Sequence, residues 1–373
     1  MTFPAVILCD ATLHGHRVAG LTVLDRLVVA ARRAGADNIT IVSEKPIPSA
    51  CLKRSRALGV KVEQLPARPV IAQPTLVLSN RVLAQASDLK RVFEQRGTLL
   101  SRDGLRLPIG VLSLFSENTL ETDLATLPSV TAIGVAEFVV DATSARRATQ
   151  RLWTAMNSSA DGLVDRYFNR PLGRFISKLL VHTPVSPNQV SVVATILGVL
   201  SAFFMARGDY VAVLFGAALF QFSAIVDCVD GELARILFKE SPLGKWLDII
   251  GDQVVHIAVF LGVGVGLFRA HADAPVLALA SIAAIGVVIS FGVVMAGQAR
   301  PAALRNARLQ KLIDATTNRD FSVVLLALAA CNRLPWFLWM AAIGVHVFWV
   351  VALVVQWIGS RDEHLKSARE SRC

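Results

Sequence analysis

The stretch that decides the reading is Asp227-Cys228-Val229-Asp230-Gly231-Glu232-Leu233-Ala234-Arg235, followed eight residues later by Gly244-Lys245-Trp246-Leu247-Asp248-Ile249-Ile250-Gly251-Asp252. Asp227 and Asp230 are three apart, and Asp248 and Asp252 four apart. Each pair therefore shares one helix face. A chain reversal between the two segments brings the helix ends together, so four carboxylates converge. Apolar sequence surrounds them, and a carboxylate at the centre of a lipid-embedded helix costs roughly 2.5–3.5 kcal/mol. Divalent cations are its natural partners, and all-oxygen ligands favour magnesium, manganese or calcium over zinc. Two metals on four carboxylates would neutralise a diphosphate and orient it for displacement. Gly231 and Ala234 leave room on the same helix for a flat base or a phosphate, and Arg235 suits a phosphate partner. Acids alone would also suit an ion pathway or salt bridges; four Asp with two small residues and an Arg at fixed spacing argue against that.

Around this stretch the chain is apolar. Hydrophobic residues make up 54% and charged residues 18% of 373, and the mean hydropathy is +0.53. These values exclude disorder, a coiled coil and an ordinary soluble enzyme. From Val190 onward six apolar segments follow, near Val190–Ala206, Tyr210–Val226, Trp246–Phe268, Ala274–Ala296, Phe321–Cys331 and Leu334–Gly359. A bilayer needs about 20 residues per helix, so the fifth is expected to begin earlier, with a polar first turn. Ahead of them, Leu172, Phe175, Ile176 and Leu179 share a helix face opposite Arg174 and Lys178, as in a helix lying along a membrane surface.

The net charge of +10 fits this picture better than nucleic-acid binding. One set of loops carries Arg207, Arg269 and Arg333. The other carries Arg235, Lys239, Lys245, Arg300, Arg305, Arg308, Lys311, Arg319, Arg361, Lys366, Arg369 and Arg372, twelve against three. The positive-inside rule then places the N-terminal region and the C-terminal tail in the cytoplasm. The five cysteines include no CxxC pair, which indicates neither a disulfide framework nor a structural zinc site. The N-terminus reads without a signal peptide.

Residues 1–150 read as α/β. Ala5–Cys9, Asn38–Val42 and Thr75–Leu78 are expected strands, and Thr22–Ala34 and Val82–Gln95 expected helices. That alternation implies a mostly parallel, Rossmann-type sheet. The expected organisation is this domain over 1–150, a linker with the surface helix over 151–185, a six-helix membrane domain over 186–360 and a tail over 361–373.

The pattern DxxDGxxAR-x8-GxxxDxxxD resembles the signature of the CDP-alcohol phosphotransferase (CDP-alcohol phosphatidyltransferase) family, with every signature position present. Ser186-Pro187-Asn188-Gln189-Val190-Ser191 resembles that family's lead-in to its first membrane helix. The resemblance implies six transmembrane helices, usually in a homodimer, and transfer of a substituted phosphoryl group from a CDP-linked donor to an acceptor hydroxyl with release of CMP. It further implies two Mg2+ or Mn2+ ions held by Asp227, Asp230, Asp248 and Asp252, with Asp252 also the general base. Gly231, Ala234 and Arg235, with Asn188 and Gly244, would contact the CDP part. Lys245, His256 and Arg319 are candidates for binding the acceptor, which fused relatives suggest is an inositol phosphate or similar polyol phosphate. The expected location is a bacterial-type inner or plasma membrane. His14 and His16 lack a nearby carboxylate cluster and are not expected to hold a metal.

Fused members of the family carry a cytidylyltransferase domain ahead of the membrane part. The run from Gly20 to Leu27 and the run from Ala34 to Val42 resemble its first helix and second strand. Asp10–Ala19, however, holds one internal glycine and no lysine, where such transferases have a phosphate-cradling loop. Ser79-Asn80 stands where a metal-binding Asp is expected. The domain is therefore expected to keep the fold without the chemistry. Two other functions stay open: an aspartate-rich membrane prenyltransferase, and a cation transporter using the acids as its pathway.

Overall fold

A computed structural model describes residues 2–115, 119–156, 163–271, 275–299 and 321–370. The chain divides into two compact units, Met1–Asn157 with Ile236–Phe238, and Ser158–Arg235 with Lys239–Cys373.

The first unit holds strands β1 (Phe3–Leu8), β2 (Arg17–Val18), β3 (Leu21–Thr22), β4 (Ala36–Val42), β5 (Val62–Leu65), β6 (Thr75–Ser79), β7 (Val82–Leu83), β8 (Thr98–Leu100), β9 (Arg106–Leu112), β10 (Ser129–Thr131) and β11 (Glu137–Phe138). Its helices are α1 (Val23–Ala34), α2 (Lys53–Ala57), α3 (Ala86–Gln95), α4 (Leu120–Ala125) and α5 (Ala142–Thr154). Seven strands form one sheet in the order β10-β8-β9-β6-β1-β4-β5. The sheet is mixed, because β9 runs antiparallel to both β6 and β8. Sequence reading misses β9 because it contains Pro108 and Gly110, which read as loop residues. The pairing accommodates the proline: the register between β8 and β9 shifts between Thr98↔Gly110 and Leu100↔Arg106, around the residue that has no N–H to donate. The expected helix Val82–Gln95 is shorter, since Val82–Leu83 pairs with β11 instead.

Helix α1 begins where the Thr22 hydroxyl accepts the Asp25 N–H at 3.1 Å, and ends at Gly35, whose φ of 117° lies in the left-handed region. Its Leu24, Leu27, Val28 and Ala31 are buried in the core.

The second unit is helical: α6 (Arg170–Leu180), α7 (Pro187–Met205), α8 (Tyr210–Ile236), α9 (Pro242–His271), α10 (Pro275–Gln298), a ten-residue helix Phe321–Ala330 and a long helix Leu334–Glu370. Among the described residues five helices are long and apolar enough to cross a membrane: α7, α8, α9, α10 and Leu334–Ile358. Five of the six expected segments therefore have the length of a span. The sixth is described only as Phe321–Ala330, and its expected earlier start lies outside the described residues.

Helices α7 and α9 run parallel and approach backbone to backbone. A Cβ on Gly262 would fall 2.5 Å from the Ala202 carbonyl oxygen, one on Gly266 against the Met205 carbonyl, and one on Gly251 against Thr195 Oγ1. Small residues of this kind let membrane helices pack closely without a hydrophobic drive between them.

A candidate metal and phosphate site

Helix α7 starts with a reciprocal cap. Ser186 Oγ accepts the Gln189 N–H at 3.3 Å, and Gln189 Oε1 accepts the Ser186 N–H at 2.8 Å. Pro187 follows as the first helical residue. This places Asn188, Ser191 and Thr195 on the first three turns. Helix α8 ends near Arg235, and Lys239 N–H closes it by donating to the Ala234 carbonyl at 2.7 Å. Helix α9 opens at Pro242, with the Gly244 N–H donating to Ser241 Oγ at 3.0 Å. The start of α7, the end of α8 and the start of α9 thus meet at one end of the bundle.

There Asp227, Asp230 and Asp248 converge, with one carboxylate oxygen from each lying within 4.8 Å of the others. Asp230 is 7% exposed, while Asp227 and Asp248 are half-buried. Ser191 Oγ donates to Asp230 Oδ2 and, bifurcated, approaches the Pro187 carbonyl at 3.3 Å. Three carboxylates at this separation repel strongly in a poorly solvated place, so the arrangement suits bound cations.

Asp252 lies outside that tight group. It lines an adjoining cleft with Asp227, His256, Thr195, Ser223 and Gly251. The His256 ring packs edge-on against Phe321, centroids 5.2 Å apart. Gly231 has open space: a Cβ there meets nothing nearer than Arg235 Nη2 at 3.8 Å. At Gly244 a Cβ would fall 2.8 Å from Asn188 Oδ1, so the glycine lets Asn188 reach the start of α9. Ala234 is partly buried, and Arg235 and Lys245 are exposed at the same end. Arg319 lies outside the described residues.

Sequence reading did not assign Ser191, Thr195 or Ser223 to the site. The signal was available: Ser191 and Thr195 follow Pro187 at four-residue steps, and Ser223 precedes Asp227 by four.

In the first unit, the ends of β1 and β6 are tied together where such sheets usually receive a ligand. Asn80 is 2% exposed. Its Oδ1 accepts the Asp10 N–H at 2.9 Å, and its Nδ2 donates to the Asp10 carbonyl at 3.0 Å and approaches Cys9 Sγ at 3.2 Å. Arg81 pairs with Asp10 at 2.9 Å. The Thr12 hydroxyl, Arg81 and the Thr12 N–H together hold the Asp10 carboxyl down at about 2. Burial pushes the Cys9 thiol up to about 12, so it is no reactive thiolate.

A CDP-alcohol phosphatidyltransferase family model matches residues 184–359. Among curated proteins, the chain is 40% identical over 102 residues to the bifunctional IPC transferase and DIPP synthase of Thermococcus kodakarensis, covering 27% of this chain and 22% of that one. It is 28% identical over 201 residues to the protein of the same name from Archaeoglobus fulgidus, covering 52% of this chain and 38% of that one. The chain thus spans less than two-fifths of the length of either relative. Among solved structures, Mycobacterium tuberculosis phosphatidylinositol phosphate synthase with CDP-DAG bound matches with a TM-score of 0.37 and 18% identity, over 50% of this chain and 94% of that one.

Proposed function

We propose, from the match of residues 184–359 to the CDP-alcohol phosphatidyltransferase family model, that the chain is a multi-pass membrane transferase moving a substituted phosphoryl group from a CDP-linked donor to an acceptor hydroxyl. The observation that carries this reading is the convergence of Asp227, Asp230 and Asp248 within 4.8 Å at one end of the helical unit.

Asp227, Asp230 and Asp248 would hold divalent cations, Mg2+ or Mn2+, and Asp252 would complete the set from the neighbouring cleft. Such ions would offset the diphosphate's charge and stabilise the leaving phosphate. The chain's own residues do the rest. Ser191 fixes the Asp230 carboxylate by hydrogen bonding. Gly231 and Ala234 leave α8 flat for the cytidine and its phosphate, with Arg235, Asn188 and Gly244 around them. Asp252 accepts the proton of the attacking hydroxyl. A new oxygen–phosphorus bond forms at the distal phosphorus, the bond to the bridging oxygen breaks, and CMP leaves with that oxygen.

Lys245 and His256 supply a cation and a polar ring for an acceptor that itself bears a phosphate, such as an inositol phosphate. Both named relatives carry IPC and DIPP in their names, which supports that substrate class. The loop charges support a cytoplasmic site, and a homodimer is the assembly proposed. In the first unit, the Asn80–Asp10 tie supports a domain that keeps its fold without nucleotidyl transfer.

The test is to incubate the purified protein with a panel of CDP-alcohols and hydroxyl acceptors and to weigh the product. A phosphodiester of the expected mass, formed with stoichiometric CMP, supports the proposal. Consumption of prenyl diphosphates instead, or ion flux across sealed vesicles without nucleotide consumption, overturns it.

A further inference from the structure

Glu232 lies inside the signature stretch, yet the metal site does not use it, and it is 0% exposed. A carboxylate so deeply buried in an apolar bundle needs partners and a reason. Its partners come from α6. Ser177 Oγ donates to Glu232 Oε2 at 2.8 Å, and Arg174 Nη2 stands 3.6 Å from Glu232 Oε1.

The contact continues along α8. A Cβ on Gly173 would fall 3.1 Å from the Ile225 carbonyl oxygen and 3.3 Å from Cys228 Cβ, so α6 lies close against α8 there. Immediately before α6, Gln221 Nε2 donates to Asn169 Oδ1 at 2.6 Å, and Asn169 Nδ2 donates to Asp165 Oδ1 at 2.7 Å. Both Asn169 and Gln221 are buried. At about 100° per residue, Gln221, Ile225, Cys228 and Glu232 fall within about 60° of arc, centred about 160° from the midpoint of Asp227 and Asp230. Helix α8 therefore has two working faces, metal ligands on one and α6 on the other.

We propose that Glu232 is a positioning residue: anchored by Ser177 and Arg174, it fixes the rotation of α8 about its own axis and so the direction in which Asp227 and Asp230 present their carboxylates to Asp248. This rests on the metal-dependent transferase reading above. The lever is steep. The carboxylates stand about 6 Å from the helix axis, so turning α8 by about 10° carries them about 1 Å. A displacement of about 1 Å at a reacting group costs roughly 100-fold in rate. Packing alone resists rotation weakly along an apolar bundle, whereas this buried carboxylate can turn only by losing the Ser177 hydrogen bond and the Arg174 ion pair.

The experiment compares Glu232→Ala, Glu232→Gln and Ser177→Ala with the wild-type chain in nanodiscs. Mn2+ affinity is read by electron paramagnetic resonance without substrate, and CMP release gives kcat and donor KM. Glu232→Ala is expected to weaken Mn2+ binding about tenfold and to lower kcat roughly 100-fold, with donor KM changed less than about threefold. Glu232→Gln keeps an acceptor for Ser177 and is expected to stay near wild type in Mn2+ affinity; Ser177→Ala is expected to fall between. Wild-type Mn2+ affinity and kcat in folded Glu232→Ala overturn the proposal, as does a lower melting temperature with both unchanged. Should Glu232→Ala not fold, unchanged Mn2+ affinity in Ser177→Ala overturns it. A wild-type chain that binds no Mn2+ overturns this inference and the reading beneath it together; normal wild-type binding with unaffected variants overturns this inference alone.

Discussion

Ser191 on α7 donates its hydroxyl hydrogen to Asp230 on α8, so a side chain of the first long helix holds a carboxylate of the second. The three converging carboxylates are thus part of a frame built from α7, α8 and α9. Asp227→Asn, Asp230→Asn and Asp248→Asn are each expected to lower CMP release by at least about 100-fold, because ligands of one site act as a unit. Parallel circular-dichroism spectra check that the fold persists. Near-normal turnover in any of the three would remove the metal reading.

Removing divalent cations with a chelator is expected to stop turnover, and adding Mg2+ or Mn2+ to restore it. Three carboxylates within 4.8 Å are the motive. A rate indifferent to the chelator contradicts the expectation.

Two glycines near the site are expected to fail differently. Gly251→Ala puts a Cβ against Thr195 Oγ1, whose hydroxyl donates to the Ser191 carbonyl at 2.9 Å. Overpacking there is expected to cost about 1–3 kcal/mol, seen as a lower melting temperature. Gly231→Ala meets only Arg235 Nη2, at 3.8 Å. It is expected to melt normally and to raise the donor KM. The reverse pattern would misplace the donor.

The 373-residue chain is expected to release no pyrophosphate from labelled CTP, Mg2+ and a panel of polyol phosphates. Asn80 spends its amide on joining β1 to β6 and carries no charge for a metal. Pyrophosphate release that survives Asp252→Asn and disappears on deletion of residues 1–150 would falsify the inactive-domain reading.

Asp10 gives a pH dependence. Its carboxyl is held at about 2, below the ordinary 3.8, chiefly by the Thr12 hydroxyl and Arg81. A lowered folded value stabilises above the unfolded one, and that contribution fades as pH falls from about 4 to about 2. Asp10→Ala is expected to lower the melting temperature at pH 6, with the gap from wild type narrowing below about pH 4. A gap that widens in acid has the wrong sign.

That Asp227 shares a helix face with Asp230, and Asp248 with Asp252, was legible because helical spacing is local, whereas the tight group holds Asp227, Asp230 and Asp248 and leaves Asp252 in the adjoining cleft. Most apolar segments were legible for the same reason. What stayed hidden depends on partners far away in sequence. Nothing near Glu232 announces Ser177, 55 residues earlier. Strand β9 was hidden by Pro108, since the bulged pairing that tolerates it is supplied by β8. Asn80 read as a missing metal ligand, and only its bonds to Asp10 reveal what it does instead.

The backbone-to-backbone approach of α7 and α9 also limits how the bundle can give way. At Gly262 and Gly266 the neighbours are carbonyl groups of Ala202 and Met205, which have no rotamers to change. On the proposed reading, a bulky donor would find little compliance along that seam. Whatever yielding its entry requires must come from α8 or from the outer helices, so spin labels on α7 and α9 should keep one mutual distance throughout turnover.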